Sequence, residues 1–158
     1  MKNSMILIFY AILMAPVIIF PCKVSGAASQ ESGTKFSDIT GKEWILSELK
    51  KAGKTVSIDR KKLEADNMGS AFTLIFNEDQ VSGMGAPNRY FAPYTASANR
   101  SLSIGYAAST MMLAFREPEE LKEKEFFDYL AATQRWDLFQ GKLELYSKDE
   151  TVLVFELK

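Results

Sequence analysis

The residue types best suited to chemistry lie close together in the run Gly83-Met84-Gly85-Ala86-Pro87-Asn88-Arg89-Tyr90. Two glycines beside a polar pair can let backbone N–H groups reach a ligand, and Asn88 with Arg89 can hold a carboxylate or a phosphate. The same residues also have a structural use, because Asn88 can satisfy its own loop backbone while Gly83 and Gly85 shape a bend. Tyr90, Phe91 and Tyr94 would form an aromatic binding surface where they reach solvent. The candidate binding residues are therefore Met84, Asn88, Arg89, Tyr90 and Tyr94.

Much other chemistry is excluded by residue type. The chain of 158 residues has no histidine and one cysteine, Cys22. Ser-His-Asp and Cys-His nucleophile pairs and histidine-based zinc sites are therefore absent. Met111-Met112 after Thr110 is a soft-ligand pair without cysteine or histidine beside it, and the expectation is that both methionines fill core. Glu119-Glu120 and Asp149-Glu150 offer paired carboxylates of the kind used in glycoside hydrolysis, but adjacent acids at a helix start or a turn usually face water. No catalytic residue, metal or cofactor is assigned, and the chain is expected not to be an enzyme.

Residues 5–20 (MILIFYAILMAPVIIF) carry no charge, follow Lys2, contain Pro16 and lead into the small residues SGAAS. This is the pattern of an export signal too short to be a comfortable membrane span, with cleavage expected to leave residues 1–27 behind. Cys22 follows the apolar run where a bacterial lipoprotein would be acylated, although Pro21 and Phe20 are unusual neighbours for that reaction. Loss of residues 1–27 removes two of the 19 basic residues and none of the 20 acidic ones, so the exported part is mildly acidic. The cluster Lys50, Lys51 and Lys54 and the run Arg60-Lys61-Lys62 are interspersed with acids, so no nucleic-acid partner is expected. Acylation of Cys22 is the alternative to cleavage after residue 27, and a lipid there is the only membrane contact the sequence suggests.

Residues 28–40 read as a polar tether before a domain spanning 41–158. Strands are expected at 44–49, 55–58, 72–76, 81–84, 88–96, 101–104, 135–139, 142–147 and 152–157. One main helix is expected to start near Glu117-Pro118 and to pack Phe126, Phe127, Leu130 and Ala131 on a sheet. The pattern predicts an α+β domain, a curved antiparallel sheet of about six to eight strands with the helix across it.

The order of these segments resembles the META domain family, the module of the bacterial heat-shock protein HslJ. The resemblance runs through Trp44-Ile45-Leu46, Phe72-Thr73-Leu74-Ile75-Phe76, Val81-Ser82-Gly83-Met84-Gly85, Asn88-Arg89-Tyr90-Phe91 with Tyr94, and Leu102-Ser103-Ile104. It continues through Ser109-Thr110-Met111-Met112, Glu125-Phe126-Phe127 with Leu130, Leu143-Glu144-Leu145 and Leu153-Val154-Phe155. It implies a curved antiparallel sheet with a crossing helix in an exported protein, often a lipoprotein of the periplasm or cell envelope. No enzyme activity attaches to the family, whose members are associated with heat shock and novobiocin tolerance, and a related module occurs in trypanosomatid virulence-associated proteins. Many members carry a cysteine before the asparagine and another after Thr-x-Met, whereas Pro87 precedes Asn88 here and Ala114 or its neighbours fill the later place. The resemblance points to an envelope protein or cell-surface component as partner. The alternative is a small-molecule or carbohydrate-binding domain, hydrolytic or not, on the concave face of the sheet.

Overall fold

The computed structural model describes residues 33–113 and 116–158. Residues 1–27, Cys22 and Ala114 lie outside that range, so the leader and acylation expectations fall there too.

The strands are β1 (Trp44–Lys51), β2 (Lys54–Ser57), β3 (Thr73–Phe76), β4 (Gln80–Met84), β5 (Arg89–Ala96), β6 (Leu102–Ile104), β7 (Ala108–Ser109), β8 (Thr133–Phe139), β9 (Lys142–Ser147) and β10 (Val152–Leu157). Two helices interrupt them, α1 (Arg60–Ala65) and α2 (Glu123–Ala131). The sheet order is β6-β5-β4-β3-β1-β10-β9-β8, with β2 on β1 and β7 on β5, and the paired strands are antiparallel. The two ends of this order meet: Ser101 bridges Arg135, and the Trp136 N–H donates to the Arg100 carbonyl at 3.0 Å.

The sheet is thus a nearly closed barrel, and this corrects the α+β expectation toward a sheet-dominated class with more strands than expected. Closure removes most of the exposed edge that an open sheet must otherwise protect. One β-bulge helps it curl. In β1, Trp44 and Leu46 are buried, then the register against β10 shifts between Leu46 and Glu48, and Leu49 becomes the next buried residue. An extra residue on one strand bends it and exchanges which parity faces inward.

The interior is filled from both ends. On α2, Phe126 touches the rings of Phe72, Tyr90 and Phe155 at 5.2, 5.9 and 6.5 Å, residues that belong to distant parts of the sheet order. Only a concave sheet face presents all three to one side chain. The expected start of α2 at Glu117-Pro118 moves to Glu123, because Pro118 and Leu121 are themselves buried in a bent, irregular segment that leads into the helix.

The second plug comes from residues expected to be a tether. Phe36 lies 5.3, 5.5 and 5.4 Å from the rings of Phe76, Tyr94 and Trp136, and Ile39 is fully buried. Trp44 Nε1 donates to the Ile39 carbonyl at 3.0 Å and the Gly41 N–H to the Phe76 carbonyl at 2.8 Å. The fold therefore begins before residue 41. Replacing Ile39 by alanine is expected to lower stability by about 2–5 kcal/mol, the usual cost of truncating a large buried aliphatic side chain. Replacing the exposed Ser37 should cost little; equal denaturant midpoints for the two variants would return residues 36–40 to the tether.

Candidate functional site

The turn between β4 and β5 holds the run singled out by sequence. Both of its glycines sit where a side chain has no room. A Cβ on Gly83 would collide with the Thr73 carbonyl, and one on Gly85 would collide with the Glu123 carboxylate and Phe127. The Ala86–Pro87 peptide in this turn is cis.

Glu123, the first residue of α2, reaches into the turn. Its Oε1 accepts from the backbone N–H of Ala86 at 2.6 Å and of Asn88 at 2.7 Å, while Oε2 accepts from Asn88 Nδ2 at 2.7 Å. A carboxylate at a helix N-terminus is favoured by the helix dipole, and here it also collects three further donors. Asn88 passes the connection on. Its Oδ1 accepts from Thr110 Oγ1 at 2.8 Å and the Met112 N–H at 2.7 Å, and Nδ2 also donates to the Met112 carbonyl at 3.1 Å. An asparagine amide has two donor hydrogens and an oxygen that accepts twice, so Asn88 is saturated. It holds the segment after β7 against the turn, and the alternative of a ligand contact loses its free atoms.

The other candidates do not gather around it. Tyr90 is buried, its hydroxyl donates to the Thr73 carbonyl at 2.9 Å, and burial pushes its phenol well above the usual range. Tyr94 is half-buried beside a separate cleft of about 380 Å³, with its hydroxyl donating to the Asn77 carbonyl at 2.6 Å; its phenol is raised, first by burial and then by Asp79. Arg89 points its side chain from an exposed position, and Met84 lines a groove of about 500 Å³. The five residues thus divide among core, knot, surface and groove. With a helix starting at Glu117-Pro118, the spacing puts Glu123 on the outward face with Lys122, Lys124, Glu125 and Asp128; because α2 starts instead at Glu123, its carboxylate turns into the β4–β5 turn.

A second correction concerns Met111 and Met112, which are 97% and 61% exposed and do not fill core. With Tyr106 at 91% and Leu113 at 97%, they make an apolar stretch that flanks β7 on the surface. Asn88 fixes the Met112 backbone at the edge of the sheet, outside the packed interior. Among the described residues no group of three or more histidine, cysteine, aspartate or glutamate side chains is arranged to hold a metal, and no helix is long and apolar enough to cross a membrane.

Comparison with known proteins gives the family. A model described as META domain matches residues 37–158. The chain belongs to the META domain family. That match starts within the Phe36–Asp38 turn, in keeping with the buried Ile39. The META domain here is similar in fold to the NMR structure of a protein from Burkholderia xenovorans, with a TM-score of 0.61 and 21% identity over 77% of this chain and 85% of that one. It is also similar in fold to the crystal structure of a DUF4847 family protein from Bacteroides vulgatus, with a TM-score of 0.53 and 11% identity over 76% and 94% of the two chains. No curated protein matches it.

Two outcomes are expected for the knot and the core of this META domain. Glu123→Gln turns one acceptor oxygen into a donor facing either Asn88 or the turn backbone, and should lower stability by about 2–4 kcal/mol, read as a fall in Tm; an unchanged Tm would show that the knot does not bear on the fold. The tyrosines set an alkaline limit. Tyr90 is raised by burial, and Tyr146 is pushed up to about 12 by burial and then by its hydrogen bond to Glu144. An unfolded tyrosine ionises near about pH 10, so the stability these phenols contribute is complete below that pH and is lost as pH rises toward 12 and beyond. Tyr90→Phe should cost about 1–2 kcal/mol at neutral pH yet flatten the fall of Tm between pH 10 and 12, and an unflattened fall would dismiss Tyr90 as its source.

Proposed function

We propose that this META domain is a non-catalytic exported protein of the cell envelope that binds a protein or envelope component and contributes to stress tolerance. The observation that carries this reading is the apolar stretch Tyr106, Met111 and Leu113, each more than nine-tenths exposed, with Phe91 on the adjoining β5 also exposed. Large side chains held in water at one edge of a sheet mark a surface suited to a partner. The chemistry-bearing candidates support the same reading. Asn88 and Glu123 spend their hydrogen-bonding capacity on the turn backbone and on each other, and Tyr90 spends its own on Thr73.

The alternative of a carbohydrate or small-molecule site on the concave face finds less support. Phe72, Phe76, Phe126 and Phe155 fill that face, and Tyr90 is buried in the core, apart from the cleft that Tyr94 shares with the single carboxylate Glu78. The reading is tested by placing a photo-crosslinking residue at Tyr106 or Leu113, with one at the exposed Lys54 as reference, in cells carrying the full chain. A discrete adduct from positions 106 and 113 and not from 54, enriched in the envelope fraction, is expected. Adducts of equal yield at all three positions, or none, would end the partner reading.

A further inference from the structure

Four methionines fall within the described residues, Met68, Met84, Met111 and Met112, and they come from three separate stretches of chain. Three of them, Met68, Met84 and Met112, line the same groove of about 500 Å³, and the fourth is the neighbour of Met112. None belongs to the fully buried core. Methionine is a frequent filler of irregular interiors, so its concentration at one solvent-facing groove calls for a different account.

The backbone beneath the groove is pinned. The Ala71 N–H donates to the Met68 carbonyl at 2.9 Å, and the Phe72 N–H donates to the Gly85 carbonyl at 3.2 Å, which joins the Met68 loop to the residue after Met84. The Met84 N–H donates to Thr73 Oγ1 at 3.1 Å. Met112 is clasped at both its N–H and its carbonyl by the Asn88 side chain. Each thioether, by contrast, ends a side chain with three rotatable bonds. Fixed attachment points with mobile tips allow three sulfur atoms to close on one small ion.

We propose that Met68, Met84 and Met112 form a thioether site for a soft monovalent cation, copper(I). Neutral thioethers select copper(I) over zinc, magnesium or calcium, which need thiolate, imidazole or carboxylate ligands. The described residues contain no cysteine or histidine, so nothing stronger competes for the ion there. Glu64, which also lines the groove, adds negative charge toward a cation. The saturated Asn88 acts as a positioning residue that sets where Met112 stands. The ion is bound as it arrives, without electron or proton transfer.

The test uses the full chain produced with its own leader and with Cys22→Ser in every preparation, so that no thiol contributes. Under ascorbate, withdrawal of copper(I) from its violet bicinchoninate complex is followed by absorbance. One equivalent of copper is expected to pass to the protein. Met68→Leu, Met84→Leu and Met112→Leu should each weaken binding by about 10-fold or more, and Met111→Leu should not. Leucine preserves volume and apolarity, so Tm should hold, and an apolar ligand or peptide seated in the groove would not distinguish these variants. Silver(I) supplies a second readout: the methyl NMR signals of Met68, Met84 and Met112 should shift and that of Met111 should stay. Equal copper withdrawal by the parent and by the triple variant Met68→Leu/Met84→Leu/Met112→Leu would overturn the proposal, as would no withdrawal by the parent. Because the crosslinking positions 106 and 113 lie outside this triad, failure of the metal site and failure of the partner reading are separable.

Discussion

One carboxylate coordinates three parts of this fold. Glu123 fixes the first turn of α2, the β4–β5 turn and, through Asn88, the segment that follows β7. The backbone N–H groups of Ala86, Asn88 and Met112 would otherwise have to be satisfied elsewhere, since buried donors without partners are costly. The contact also explains why glycine occupies position 85, where any side chain would displace the carboxylate. Placement of the helix, the bend of the sheet and the position of the Met112 backbone thus share one cause.

Around that knot the structure relies on burial rather than covalent ties, there being no cysteine among the described residues. Two aromatic plugs enter the curled sheet: Phe126 from α2, and Phe36 from the residues before β1. Each joins strands that are remote in the sheet order. The outer face is stitched by ion pairs, such as Lys50 with Glu144 and Lys142 with Glu48 and Glu156. Exposed pairs of this kind add little individually, so the interior rings dominate cohesion.

The strands are legible in the sequence because period-two alternation survives in β5 and β9, while β3 and β10 read as short apolar runs bounded by turns, and the family resemblance rests on the order of those segments. What escaped reading were effects of tertiary context. A polar, tether-like composition around residues 36–40 concealed Phe36 and Ile39, two apolar residues whose burial depends on Phe76, Tyr94 and Trp136 far along the chain. The bulge in β1 is invisible in a run that reads as apolar on either parity. Pro118 looked like a helix start, yet Leu121 had to be buried before the helix could begin. In the candidate run, Asn88 reads equally as a ligand contact or a loop residue, and the partner that takes up its hydrogen bonds, Glu123, lies 35 positions away and has no local signature.

The sheet order places β10, the last strand of the chain, between β9 and the first strand β1, with Trp44 opposite Leu157 and the Lys158 N–H bonded to the Glu43 carbonyl at 3.0 Å. The two ends of the domain are therefore one structural unit. A growing chain cannot seat β1 between its neighbours until the final residues have been synthesised, so the sheet's centre is assembled last in time although it is central in space. Such non-local pairing raises contact order and slows folding. A domain built this way completes the pairing of its central strands only once its last strand, β10, is available to β1.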